Sequence, residues 1–256
     1  MEEDLSSSAA PAMHRFTCNI CGAPCESDHL DRERSSCAAC GSSVRERWII
    51  HALSMGLFGP SLPLREMPVR REIRGIGMSD SPRLADGLAA HFSYTNTFFH
   101  TEPRLDIVTT TDEALYDFII TSEVFEHVGP PVQAAFNNLA RLLKPDGVAV
   151  FTVPWGYQPA TIEHFPDLHD WNVVQLRSGY VLLNRTADGR LETHENLVFH
   201  GGPGSTLEMR IFAHASLMEH FRIAGFTTIQ IAEDYPAWGI AEVPWSRGFL
   251  LRKGAA

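Results

Sequence analysis

Four cysteines carry the clearest chemistry in the chain. Cys18-x2-Cys21 is followed, after a 15-residue gap, by Cys37-x2-Cys40. Each Cys-x-x-Cys pair sets two thiolates on one side of a tight turn. Two such knuckles facing each other make a tetrahedral sulfur site that suits zinc. Gly22 and Gly41 each follow the second cysteine of a pair, where a knuckle needs positive φ. With all four ligand positions filled by protein, no position is left for a catalytic water, so the metal is expected to be structural. Cys25 is a spare thiol, and positions 41–256 contain no cysteine. In a reducing compartment such clustering favours metal over disulfides.

A second set of reactive side chains follows an apolar run at 117–122. It reads Glu123-Val124-Phe125-Glu126-His127-Val128. A histidine, with an unperturbed pKa near about 6.5, is suited to general base work. More histidines lie downstream: His164, His169, His194 and His200, with His214 and His220 just beyond. His127, His200 and His164 are the candidate bases. His164-x2-Asp167-x-His169 offers either a divalent-ion site or a hydrogen-bonded loop. The segment 199–210 is a glycine-rich loop running into charged residues, able to cradle an anion or bring backbone close to a ligand. Trp155, Tyr157, Trp171 and Tyr180 add aromatic surface suited to a polyhydroxylated or ring-bearing substrate.

These residues need a scaffold, and the pattern supplies one. Helical spacing of Val44, Trp48, Ile49, Ala52 and Leu53 predicts a helix over 44–57 that packs the cysteine ribbon onto a larger domain. The linker 58–68 is rich in Gly and Pro. A first strand is expected at 69–76, then a Gly75-Ile76-Gly77-Met78-Ser79-Asp80 turn, then a helix opened by Pro82 with Leu84, Leu88 and Phe92 on one face. Strands follow at 92–99, 103–108 and 117–122. The near-continuous apolar run of the last fits a strand buried on both faces. A helix at 132–143, a Lys144-Pro145-Asp146-Gly147 turn and a strand at 148–153 complete a βαβ unit. A helix over 214–226 and strands at 227–232 and 248–252 close the domain. The 154–212 stretch is a long insertion, and such insertions usually serve as lids or binding loops.

The stretch 116–154, above all its Glu-His-Val and Lys-Pro-Asp-Gly wording, resembles the second half of a class I S-adenosylmethionine-dependent methyltransferase. The four-cysteine ribbon, shortened glycine motif, Tyr94-x-Asn96-Thr97 strand and His200-Gly201-Gly202 loop are similar to a bacterial subset associated with polysaccharide or secondary-metabolite pathways. The resemblance implies that Gly75 and Gly77 form a degenerate first motif. Gly75 stands at the family's usual acid and Ser79 near its second glycine, so Ser79 or Asp80 would hold the methionine end. Asn96 and Thr97 stand where an acid normally takes the ribose hydroxyls. Asp106 would accept from the adenine amino group with Ile107 against the ring, and Glu123 would line the pocket.

Length and charge bound the rest. A chain of 256 residues, 44% hydrophobic and 20% charged, accommodates one large α/β domain and a small module. Its formal charge of −10 opposes nucleic acid. The ribbon offers no basic patch, since Arg15, Arg32, Arg34, Arg45 and Arg47 are balanced by Glu26, Asp28, Asp31, Glu33 and Glu46. No apolar run is long enough to span a membrane. The acidic, serine-rich start reads as a short disordered tail rather than a signal peptide, which points to the cytoplasm. The expected fold is α/β: a Rossmann-like, seven-stranded, mostly parallel sheet (69–256, insertion 154–212) behind a tail (1–13) and a zinc ribbon with its helix (14–57). The expected function is methyl transfer from S-adenosylmethionine to an oxygen of a small-molecule or sugar acceptor, with structural zinc. The alternatives are an RNA base methyltransferase and a non-catalytic binding module on a degenerate fold.

Overall fold

The computed structural model describes residues 13–204, 206–241 and 245–254. The expected tail therefore lies outside the described residues, apart from Met13. Strands β1 (His14–Thr17) and β2 (Pro24–Ser27) pair antiparallel and present the cysteine knuckles. Helix α1 (Val44–Phe58) follows directly. Ser43 accepts from the Glu46 backbone N–H and Glu46 accepts from that of Ser43, a reciprocal cap that satisfies two otherwise orphaned donors.

The main sheet is built from β3 (Arg70–Met78), β4 (Phe92–Thr97), β5 (Tyr116–Ser122) and β6 (Leu143–Thr152), all parallel. Helix α2 (Pro82–His91) joins β3 to β4, and α3 (Val132–Leu142) joins β5 to β6. The insertion contributes the short strands β7 (Trp155–Gly156) and β8 (Ile162–Glu163), then β9 (Asp170–Leu176), β10 (Gly179–Arg185) and β11 (Leu191–His194). It ends with β12 (Phe199–His200), β13 (Thr206–Leu207) and β14 (Arg210–Ala213). Helix α4 (His214–Ile223) leads to β15 (Phe226–Ile231) and β16 (Phe249–Lys253). The sheet order is β15-β16-β6-β5-β3-β4, with the last two strands of the chain antiparallel.

Alternation along the strands buries both faces. Phe118 and Ile120 of β5, with Val148 and Val150 of β6, pack under α1 and α2 together with the ribbon. Ile119, Ala149 and Phe151 point the other way, under α3 and α4. This period of two with apolar residues on each side explains the unbroken apolar run at 117–122. The insertion has a small core of its own, made by Leu168, Leu182, Leu207 and Met209.

The structure corrects four expectations. Six strands, not seven, form the sheet among the described residues. The segment expected as a strand at 103–108 keeps a single bridge, Phe98 to Arg104. Pro103 has no N–H to give, and Asp106 turns the chain, its Oδ1 accepting from Val108 N at 3.0 Å and its carbonyl from Thr110 N at 3.0 Å. Gly75 and Gly77 lie inside β3 rather than in the turn after it. A Cβ on Gly75 would overlap the Phe118 ring, and one on Gly77 would overlap Tyr94 and Asp80. Their smallness serves close packing here. The strand expected at 148–153 begins earlier: β6 starts at Leu143 and takes in the Lys144-Pro145-Asp146-Gly147 turn as an irregular stretch, with Asp146 at φ 60°.

Candidate functional site

The cysteines converge. Cys18 Sγ lies 3.7 Å from Cys40 Sγ, Cys21 Sγ 3.7 Å from Cys37 Sγ, and Cys40 Sγ 3.6 Å from Cys37 Sγ. Sulfurs about 2.3 Å from a tetrahedral zinc sit roughly 3.8 Å apart, whereas a disulfide requires about 2.05 Å. Gly22 (φ 77°) and Gly41 (φ 73°) close the two knuckles, donating N–H to the Cys18 and Cys37 carbonyls. Cys25 donates to Cys37 Sγ at 3.4 Å, and burial pushes its own pKa up to about 12. Burial also pushes Cys37 up, but hydrogen bonds from the Cys40 backbone, Cys25 and the Ala39 backbone outweigh it and bring the thiol to about 6. The donor set fits a structural zinc. Arg47, fully buried, sits over the Phe16 ring at 4.4 Å and donates to Ser36, Ser42 and the Gly239 carbonyl.

The carboxyl ends of β3 and β5 form a second locus. The chain leaves β3 towards β4 on one side and returns to β5 on the other, so these strands flank the switch point of the sheet. Open parallel sheets bind ligands at such a point. Each strand is followed at once by a non-glycine residue with left-handed backbone, Ser79 (φ 62°) after β3 and Glu123 (φ 55°) after β5. Such strain persists where surrounding structure over-determines it and is concentrated at ligand sites.

The other residues expected to hold the cofactor bond to one another. Asn96 accepts from Asp80 N and donates to Asp80 O, both at 2.9 Å. Thr97 Oγ1 donates to Gly77 O at 2.7 Å. The Tyr94 hydroxyl donates to the Asp80 carboxylate, which is buried, and burial raises Asp80 to about 6. Asp106 caps its own turn and Ile107 is buried, with the Ile107 carbonyl taken by Asn138.

Glu123 is held from the ribbon. Arg32 donates to both of its oxygens, at 2.6 and 3.0 Å, and Thr152 donates at 2.8 Å. Burial raises Glu123, but the Arg32 and Arg45 cations and these hydrogen bonds more than reverse that, leaving the carboxyl below its ordinary value. Beside this pair lies a shallow open cleft, lined by Arg32, Arg45, Trp48, Thr152, Asp234 and Arg247 among others. Arg32 and Arg45 therefore belong to the site, although sequence reasoning counted them only as ribbon charge. No motif marked them.

The three candidate bases form one cluster. The His127 and His200 rings meet edge to face, with centroids 4.8 Å apart. His164 Nε2 and His200 Nε2 lie 2.8 and 3.0 Å from the two oxygens of Glu208. His127 Nδ1 lies 2.9 Å from the Leu207 carbonyl, and burial lowers the pKa of this ring. Glu126 is fully buried beside them. Burial first, and the Glu123 charge second, raise it well above the ordinary carboxyl range. Arg210, 1% exposed, staples this loop to the insertion: it donates to the Phe125 and Val128 carbonyls at 3.0 and 2.6 Å and to Glu163 at 2.8 Å. Met209 N adds a bond to Glu126 O at 2.8 Å. By contrast, His164, Asp167 and His169 do not converge. Asp167 pairs with Arg190, and this trio is not among the described clusters able to hold a metal. Trp155, expected on an acceptor surface, is buried in the core, its Nε1 donating to the Arg247 carbonyl.

Residues 55–184 match the family model described as a methyltransferase domain. No curated protein matches the chain. Several solved structures are similar in fold. One is 1,6-didemethyltoxoflavin-N1-methyltransferase of Burkholderia thailandensis with bound 1,6-didemethyltoxoflavin and S-adenosylhomocysteine (15% identity, 82% of this chain and 78% of that one, TM-score 0.46). Another is CalS10, an amino pentose methyltransferase of Micromonospora echinaspora (15%, 83% and 92%, 0.44). A third is the sugar N-methyltransferase KedS8 of Streptoalloteichus sp ATCC 53650 (13%, 81% and 88%, 0.43).

Proposed function

The chain belongs to the class I S-adenosylmethionine-dependent methyltransferases, its methyltransferase domain match spanning 55–184, and we propose that it transfers the methyl group to an oxygen of a small-molecule or sugar acceptor. The observation that carries the reading is the pair of left-handed residues, Ser79 and Glu123, at the carboxyl ends of the two strands flanking the switch point. The cofactor would lie across these ends, with Ser79, Asp80, Asn96 and Thr97 on one side and Glu123 on the other. Gly75 and Gly77 would then act indirectly, by letting β3 pack closely under Tyr94 and Phe118. Asp106 and Ile107 would border the adenine. Cys18, Cys21, Cys37 and Cys40 would hold a structural zinc, which fixes the ribbon that carries Arg32 and Arg45 to the site.

Methyl transfer is an in-line displacement at a sulfonium carbon, so alignment supplies most of the gain. A hydroxyl acceptor must also lose its proton, and the His127, His200 and His164 cluster is the group of proton acceptors proposed for it. The insertion that brings His200 and Glu208 to His127 would shield the reaction from water.

A second reading, a non-catalytic binding module, is favoured by the Arg32–Glu123 ion pair, which already occupies the acid at the end of β5. Calorimetric titration with S-adenosylhomocysteine separates the two. The expected outcome is saturable one-site binding in the micromolar range. Folded, zinc-loaded protein that takes up none sinks the methyl-transfer proposal and leaves the binding module. An RNA base methyltransferase would instead reveal itself by RNA binding that weakens steeply with salt.

A further inference from the structure

Glu126 is a buried acid with nothing to satisfy it. It is 0% exposed, and neither carboxylate oxygen has a hydrogen-bond partner. Burying an unpaired carboxylate is costly, and such groups as a rule are paired, protonated or bound to a metal. The group facing it is His127, whose Nε2 lies 3.6 Å from Glu126 Oε1. The other nitrogen of that ring, Nδ1, is 2.9 Å from the Leu207 carbonyl. A carbonyl only accepts, so Nδ1 carries the hydrogen and the neutral ring presents a bare lone pair at Nε2. With Glu126 ionised, two lone-pair donors would face each other at 3.6 Å, and either a proton on the carboxyl or a cation between them relieves this. A nitrogen of His200 completes the set: the ligand atoms of Glu126, His127 and His200 all lie within 4.8 Å of one another. Behind the histidines, Glu208 lies against His200 and His164, and the Leu207 carbonyl orients His127. Outer carboxylate and carbonyl partners of this kind orient metal-bound imidazoles.

We infer that Glu126, His127 and His200 form a second metal centre, which takes one first-row divalent cation between the end of β5 and the insertion. Two imidazoles and a carboxylate suit manganese, iron or zinc, and are unlike the all-sulfur ribbon site. The Glu123 charge nearby and the burial of Glu126 both work against an uncompensated anion, and a cation offsets both. Three protein ligands leave coordination positions open. On the methyl-transfer reading, which this consequence rests on, those positions would receive the acceptor's oxygen and make its proton easier to lose, and with His127 and His200 taken as ligands His164 is the proton acceptor left in the cluster. Cation binding itself does not depend on that reading.

The test uses the full chain with its ribbon loaded with zinc. Samples are dialysed against Mn2+ or against Zn2+, and bound metal is counted by mass spectrometry. Mn2+ affinity is read from the electron paramagnetic resonance signal of the free ion. The expected result is one metal beyond the ribbon zinc. That metal is lost, or its affinity falls at least about tenfold, in Glu126→Gln and in His200→Ala. Glu126→Gln keeps the shape of the buried side chain. The His200 side chain is 40% exposed, so its truncation leaves the core intact if the first variant fails to fold. S-adenosylhomocysteine titration of the same samples keeps the two claims apart. Cofactor binding retained while metal is lost supports the site. Metal retained without cofactor binding leaves the centre standing and removes the methyl-transfer reading. A wild-type chain that holds only its ribbon metal in both dialyses, or variants that keep the extra metal, overturns the inference and leaves Glu126 as a buried neutral acid.

Discussion

Asp80 shows how one side chain records the pressure on the site. It is buried under Tyr94, and burial lifts it from 3.8 to about 6, although the tyrosine hydroxyl and the Arg45 cation pull the other way. A carboxyl raised in the folded state contributes most to stability when protonated in both states. That contribution is intact below about pH 3.8, the unfolded value, and is lost as pH rises through about 6. A gap of this size corresponds to about 3 kcal/mol. Asp80→Asn removes the titration while keeping an acceptor for Tyr94. Chemical denaturation of both proteins from pH 4 to 7 should therefore show the variant gaining on the wild type by a few kcal/mol, with the gain levelling off above about pH 6. A stability difference that stays flat over that range would mean that Asp80 titrates as an ordinary exposed acid.

The cysteine knuckles, the βαβ unit and the C-terminal strand pair were legible in the sequence because local rules decide them. Cys-x-x-Cys-Gly spacing dictates the knuckles, a period of two with apolar residues on both faces dictates β5, and the helical spacing of Val44, Trp48, Ile49, Ala52 and Leu53 dictates α1. What stayed hidden depends on partners far along the chain. Nothing around Gly75 announces that Phe118 lies over it, and nothing in 103–108 outweighs its strand-like wording until Asp106 is seen turning the backbone. The histidines were legible singly, but their meeting through Glu208 required β12–β14 to fold back onto the loop after β5. Arg210 of β14 is the residue that enforces this. Its removal strips a donor from the Glu163 carboxylate and from two buried carbonyls, of which that of Phe125 keeps only the Val128 N–H at 3.3 Å. Arg210→Met, which keeps the stem and deletes the guanidinium, should cost about 3 kcal/mol or more in denaturant unfolding. A cost under about 1 kcal/mol would show that water replaces the guanidinium and that the insertion is held by its own core instead.

At the scale of the whole molecule, the ribbon is built into the methyltransferase core rather than attached to it. Ile49, Ile50 and Leu53 of α1 share one apolar cluster with Val148 and Val150 of β6 and Leu250 of β16. Arg47 reaches the Gly239 carbonyl, and Arg32 reaches both the Ser246 carbonyl and Glu123. Metal that orders the knuckles therefore also sets the positions of cations at the end of β5. If the four cysteines hold zinc, its removal acts on the entire fold, because binding energy to a structural site is folding energy. Thermal unfolding of the chelated protein should remain a single transition, displaced downward by about 10 °C or more. Binding of S-adenosylhomocysteine should weaken with it, since Glu123 loses the partner that orders it. Two separated transitions, with the main one unmoved and cofactor binding unchanged, would instead make the ribbon an independent module and Arg32 a surface contact of no consequence to the site.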